Sequence, residues 1–140
     1  MQPGDSPEIE QLLDHACWQL VRSVPVGRLA VVVDGAPEIF PINHLVDHAA
    51  VVFRTAAGTK LSAADGHRVA FEVDGVDHLT GRAWSVVMKG RAKRMSALYD
   101  VVESFQMPLD AWQPGAKPIF VRIDVDAVSG RRFAPLPSLG

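Results

Sequence analysis

A mostly β domain, with about six antiparallel strands curled into a barrel and helices at its ends and corners, is what the sequence predicts. Three observations carry this. Runs rich in β-branched residues recur along the chain, as at residues 28–33 and 69–73. Short turn signals separate them, Asp34-Gly35 most clearly, and hairpin links imply antiparallel neighbours. Helical spacing is confined to stretches near the N-terminus, at one corner and late in the chain. A sheet of this size in a small domain commonly closes on itself, which removes exposed edges.

The elements follow in order. A first helix is expected over about residues 7–24, capped by Asp5 or Ser6, with Pro7 in its first turn and Glu8 complementing the dipole. Ile9, Leu12, Leu13, Ala16, Cys17, Leu20, Val21 and Val24 form its apolar stripe, which needs the outside of a sheet or barrel to pack on. Pro25 and Gly27 end it. Strands follow at 28–33, at 38–46, where Pro41 marks an edge or bulge, and at 50–55. A short helix is expected over Thr59–Ala64, closed by Asp65-Gly66. Strands at 69–73 and 83–95 are joined by the polar segment 74–81. Ser96 then caps a second amphipathic helix through Phe105, followed by a Pro/Gly/Trp loop over 107–117. The last strand covers 119–125, and an irregular tail about 129–140. No repeat or linker interrupts the chain, so residues 1–140 read as a single domain.

Composition narrows the function. A domain of 140 residues buries about 70% of its unfolded surface. With 48% hydrophobic and 21% charged residues, disorder is disfavoured. The net charge of −2 exerts no general pull on nucleic acid or anionic membrane, so any anionic ligand needs a local cluster of cations. The single cysteine, Cys17, cannot form an internal disulfide, and no Cys/His spacing reads as a zinc site. The first ten residues do not resemble a signal peptide, and the longest apolar runs are too short to span a bilayer. A cytoplasmic setting is the expectation.

The segment that suggests chemistry is Phe53-Arg54-Thr55-Ala56-Ala57-Gly58-Thr59-Lys60. A strand ends in Arg54, a loop of small residues follows, and Thr59 and Lys60 open a helix. Small residues let backbone approach a ligand closely, and Gly58 permits angles other residues avoid. Arg54 can fork onto two phosphate oxygens while Lys60 adds a point charge, beside the free amides of a helix start. The bland alternative is two solvated cations flanking an ordinary turn. The Gly-x4-Gly-Lys-Ser/Thr pattern of a P-loop is absent.

Six motifs stand in a telling order: Val26-Gly27-Arg28-Leu29-Ala30, Pro41-Ile42-Asn43, Phe53-Arg54-Thr55 with Gly58 and Lys60, Phe71-Glu72-Val73-Asp74, Trp84-Ser85-Val86-Val87 with Gly90, and Ser129-Gly130-Arg131-Arg132. This order resembles the pyridoxamine 5'-phosphate oxidase-like FMN-binding split-barrel superfamily, above all its small actinobacterial-type members of unassigned substrate. The resemblance runs from about Leu12 to Phe133. It implies a six-stranded antiparallel split β-barrel with peripheral helices. It also implies a homodimer with two cofactor sites at the subunit interface, and a flavin-dependent oxidoreductase acting on a small molecule. Phosphate binding falls on Arg54 and Lys60, with Thr55 adding a hydroxyl and a further phosphate-side element near Leu61 and Ser62. The strand lining the isoalloxazine ring falls on Pro41, Ile42 and Asn43, and the residues contributed across the dimer on Trp84 and Ser85. Two departures stand out. The chain ends in Gly130-Arg131-Arg132-Phe133 without the family oxidase's Arg-Leu-His-type segment, which argues against vitamin B6 oxidation, and His44 occupies a place where relatives often carry tyrosine.

Other features have two readings each. Trp84 suits a core as well as an interface, Trp112 a lid as well as a loop cover, and Trp18 reads as packing. The five histidines are scattered, and His44 alone lies near the proposed ring site. Lys89, Arg91 and Lys93 share one strand face, either solvated or holding a polyanionic tail. That tail motivates an alternative cofactor, the deazaflavin coenzyme F-420. A non-catalytic flavin-binding protein, or a lipocalin-type barrel with a cavity inside a monomer, are the further alternatives.

Overall fold

The computed structural model describes residues 9–95 and 119–134. The expected cap at Asp5 or Ser6, the second helix and the loop around Trp112 lie outside the described residues. Seven strands and two helices are present among those described: β1 (Ile9–Leu12), α1 (Asp14–Ser23), β2 (Val26–Val33), β3 (Ala36–Asp47), β4 (Ala50–Thr55), α2 (Thr59–Ala64), β5 (Arg68–Val76), β6 (Ala83–Arg94) and β7 (Ile119–Phe133). The strands run β7-β4-β3-β2-β5-β6, and β6 pairs back onto β7, closing a six-stranded antiparallel ring. The seventh strand, β1, adds to the far end of β7.

Local chemistry explains most boundaries. The β2–β3 hairpin turns on Asp34 and Gly35, with φ of 50° and 79°, the pair of positive angles that a tight two-residue turn requires. α2 spans the six residues that its sequence suggests. Pro41 sits where β3 pairs with β2 on one side alone, so its missing N–H costs no ladder bond.

Two boundaries differ most from expectation, and β5 also runs on to Val76, paired with β6, rather than ending at 73. The first helix begins at Asp14 rather than near residue 7, because Ile9–Leu12 is extended and pairs with Gly130–Phe133 of β7. The irregular tail does not begin at 129, because β7 continues to Phe133. A register shift at Lys89/Gly90 lets β7 carry an extra residue, Asp126, and stay paired with β6 on both sides of it.

The interior is lined from every ring strand, with Phe53 and Phe71 fully buried at its centre. Each contributes about 1.5–3 kcal/mol of transfer free energy. Helix α1 packs against β3, β6 and β7, burying Cys17 and Val21, with Trp18 packed beside them. Helix α2 packs against β2 and buries Leu61 and Ala64. Among the described residues no helix is long and apolar enough to cross a membrane.

Candidate functional site

The ring opens where β3 and β4 part. β3 pairs with β2 over Ala36–Asn43 but with β4 over His44–Asp47, so the β3–β4 ladder ends at His44 and Phe53. Beyond that point β4 keeps β7 as its neighbour, Arg54 opposite Phe120 and Thr55 opposite Ile119. One lip of the opening therefore carries Arg54, the other Pro41, Ile42 and Asn43.

On the β3 lip, side chains alternate. Pro41 and Asn43 are exposed, whereas Ile42 is 6% exposed and belongs to the core. The His44 amide donates to the Pro25 carbonyl at 3.0 Å. Alternation then aims the backbone groups of Ile42 at β2 and those of Asn43 toward the opening.

On the β4 lip, Arg54 is half-buried, and its Nη2 is fully enclosed without a hydrogen-bond partner. An enclosed donor left unmatched costs about 1–3 kcal/mol, more when charged. Lys60 reaches back from α2 to place its Nζ 5.5 Å from the centre of the Phe40 ring. Burial pushes its ammonium below the ordinary lysine value. Among the described residues, neither cation meets a carboxylate. Gly58, between them, has φ of 151°, an angle that favours glycine and that lets the loop turn from β4 into α2. Helix α2 has six residues, too short for its dipole to matter much, so the two side chains carry the positive field.

The remaining expected residues separate. Thr55 faces the opposite side of β4 from Arg54, is 3% exposed, and donates its hydroxyl to the Ala56 carbonyl at 3.2 Å. Leu61 anchors α2 in the core, while Ser62 is exposed and its amide donates to Gly58 at 3.0 Å. Trp84 points inward, 6% exposed, its indole packed so closely on Gly75 that a Cβ there would lie 2.8 Å from the ring. Of its two sequence readings the core one holds within this chain. Ser85 faces outward, paired with Arg131. Arg131 lies eleven positions along β7 from Phe120, the partner of Arg54. That is about 35 Å along an extended strand, so one protomer keeps Ser85 and Arg54 far apart.

His44 lies at the junction and is 5% exposed. Its ring meets Phe71 edge-on at 5.0 Å. Nε2 lies 3.0 Å from the Val21 carbonyl, and because a carbonyl only accepts, Nε2 carries the proton. Nδ1 is then a bare, enclosed acceptor. Burial lowers its pKa, more than the bonds to Val21 and Pro25 raise it, which keeps the ring neutral.

Sequence reading misses two neighbours of the opening. Phe40, beneath Lys60, shows no motif; its signal is its place one residue before Pro41. Arg28, across from Pro41, bonds Glu72 at 3.0 Å and Asp74 at 2.7 Å. Burial and the adjacent Asp74 raise the Glu72 carboxyl above its usual range, against the pull of Arg28.

Comparison with known proteins places this arrangement. A family model described as pyridoxamine 5'-phosphate oxidase matches residues 14–132. An uncharacterized protein of Mycobacterium tuberculosis is 32% identical over 137 residues, covering 94% of this chain and 90% of the relative. A FAD-binding protein of Mycobacterium smegmatis has a solved structure that superposes with a TM-score of 0.78 at 37% identity, covering 89% of this chain and 98% of that one. A FAD-binding protein of Mesorhizobium loti superposes with a TM-score of 0.72 at 27% identity, covering 90% and 99%. The closed ring, its split between β3 and β4, and the match across residues 14–132 lead to one conclusion: this chain belongs to the pyridoxamine 5'-phosphate oxidase-like family.

Proposed function

We propose that this protein is a flavin-dependent oxidoreductase acting on a small molecule, that FMN is its cofactor, and that two copies of the chain complete each site. One observation carries the reading: Arg54 holds an enclosed, partnerless guanidinium nitrogen at the split in the barrel. A terminal phosphate offers acceptors in the fork geometry that Arg54 needs. Lys60, already short of solvent, gains a counter-charge from the same group. The exposed faces of Pro41 and Asn43 border the planar part of the ligand, and the outward-aimed backbone of Asn43 offers it a hydrogen bond. When bound, the flavin supplies hydride transfer, which explains why the chain needs no nucleophile of its own.

The two-copy reading rests on two features. Ser85 is far from Arg54 along β7, so a second protomer must supply it if both touch one ligand. The outer face of β2 and β3 also exposes Val26, Val32 and Ile39 at 49%, 64% and 66%, an apolar surface suited to a partner.

FAD is the second reading, favoured by the FAD-binding relatives at 37% and 27% identity. Both flavins present a phosphate to Arg54 and Lys60. Mass identification of cofactor extracted from freshly purified protein separates them, with parallel titrations of FMN, FAD and the deazaflavin F-420. Yellow protein that keeps flavin through gel filtration at dimer mass is the expected result. Colourless protein that takes up none of the three overturns the proposal.

A further inference from the structure

Three Asp-Gly steps occur in the chain: Asp34-Gly35, Asp65-Gly66 and Asp74-Gly75. Each sets a carboxyl group beside an amide that no side chain shields. That pairing permits a reaction without a catalyst. The glycine nitrogen attacks the aspartate Cγ, an N–Cγ bond forms, and water leaves. Water then adds to either carbonyl of the cyclic imide. Breaking the N–Cγ bond restores aspartate, whereas breaking the bond from that nitrogen to the main-chain carbonyl leaves an isoaspartyl link. The water lost in the first step returns in the second, so no oxidant or co-reactant is needed. Closure requires a free carboxyl, a free amide and backbone freedom between them.

The fold withholds these conditions at two of the steps. At Asp65 the carboxylate accepts the Arg94 amide at 2.9 Å, and the Gly66 amide donates to the Ala92 carbonyl at 2.8 Å. At Asp74 the carboxylate accepts from Arg28 at 2.7 Å. Gly75 lies within β5, opposite Trp84, and a Cβ there would lie 2.8 Å from the indole. Asp34-Gly35 differs on every count. Both residues are exposed at the tip of the β2–β3 hairpin. Among the described residues, nothing bonds the Asp34 carboxylate or the Gly35 amide. A Cβ at Gly35 would meet nothing within 4 Å, so the tip has room to open and to hold an extra main-chain carbon. Asp34 itself sits at φ 50°, in the left-handed region that costs a residue with a side chain, and opening gives that cost back. We propose that Asp34 is a site of spontaneous isoaspartate formation in the folded protein, and that the contacts around Asp65 and Asp74 protect the other two steps. This chemistry is independent of the flavin reading.

The test ages the full-length protein at neutral pH and physiological temperature. Isoaspartate is located by peptide fragmentation in a mass spectrometer, and methyl uptake catalysed by an isoaspartyl methyltransferase counts it independently. The link is expected to form at Asp34 at least about tenfold faster than at Asp65 or Asp74, the ratio that one additional hydrogen bond to open imposes. In concentrated urea, where the fold is lost, the three rates should converge, because each step is the same dipeptide. Asp34→Glu should remove the signal at that position, since glutamate would have to close a larger ring, and should lower total methyl uptake by more than half. Thermal melting checks that this variant folds. Equal rates at the three steps of the folded protein, a faster rate at Asp65 or Asp74, or no isoaspartate at Asp34 overturns the proposal. The same ranking in urea as in the folded protein also overturns it, because the fold would then have no part in the selection.

Discussion

Two arginines on the outer face of the β4–β7 pair differ in how the chain treats them. Arg122, opposite Val52, is tied to Asp47 at 2.7 Å and Asp124 at 2.9 Å. Arg54, two residues further along β4 and opposite Phe120, has an enclosed nitrogen with no partner. Among the described residues the fold supplies both carboxylates for the first and none for the second. A cation that the chain satisfies has a structural explanation. One that it encloses and leaves unmatched points to an external anion. The contrast separates candidate ligand residues from scaffold better than residue type or exposure does.

Trp84 tests that rule most strongly. Family resemblance assigns it to a cofactor seam, yet its indole packs on Gly75 inside the chain. Within one chain it therefore resembles Arg122, whose partners the fold itself supplies. Trp84→Ala should cost about 3–5 kcal/mol of stability in chemical denaturation, the range for truncating a buried tryptophan. Flavin affinity per folded molecule should stay near the wild-type value. A large loss of flavin affinity with little loss of stability would place Trp84 in the site and break the rule.

Arg54 and Lys60 should behave in the reverse manner. Arg54→Ala and Lys60→Ala should each weaken flavin binding by about 1.5–3 kcal/mol in equilibrium titration, as expected for charge-assisted hydrogen bonds. The stability of the flavin-free protein should hold or rise for Arg54→Ala, because the unmatched donor disappears. Arg122→Ala is the control. It should leave flavin affinity unchanged and shift stability by no more than about 1 kcal/mol, since the pair is partly exposed. Equal flavin effects at Arg54 and Arg122 would remove the distinction.

Much of this was readable from local sequence. Asp34-Gly35 and the bounds of α2 rest on turn chemistry and short-range spacing, which the chain carries within a few residues, as does the placement of Arg54 and Lys60 on either side of the Gly58 turn. What failed depended on distant partners. Ile9–Leu12 fits helical spacing until β7 is seen to pair with it, 118 or more residues later. The continuation of β7 past Val125 is hidden by Asp126 and Ser129-Gly130, which look like a strand end, but Asp126 forms a bulge and Gly130 pairs with Leu12 and lets Cys17 of α1 pack close. Strand alternation did contain the inward direction of Trp84, shared with Val86 and Met88.

His44 is the exception that sharpens the comparison. Its Nδ1 is enclosed and partnerless like the Arg54 nitrogen, yet it is a neutral acceptor rather than a charged donor. Leaving it unmatched costs less, and its place among Val21, Pro25 and Phe71 is internal to the fold. The expected signature is therefore a pH effect on stability, not a ligand effect. Burial lowers the folded-state pKa below its usual value near 6.5. Below that value the unfolded chain binds the proton and the folded protein resists it. Stability should be fully present above about pH 6.5 and should decline as pH falls toward the folded-state pKa, by at most about 1.4 kcal/mol per pH unit for one proton. His44→Gln, which keeps a donor for the Val21 carbonyl, should flatten that part of the profile while leaving flavin affinity unchanged. A profile unchanged by the substitution would place the titrating group elsewhere. A flavin affinity that falls with His44→Gln would instead assign Nδ1 to the ligand, and every enclosed, unmatched atom at the split would then belong to one site.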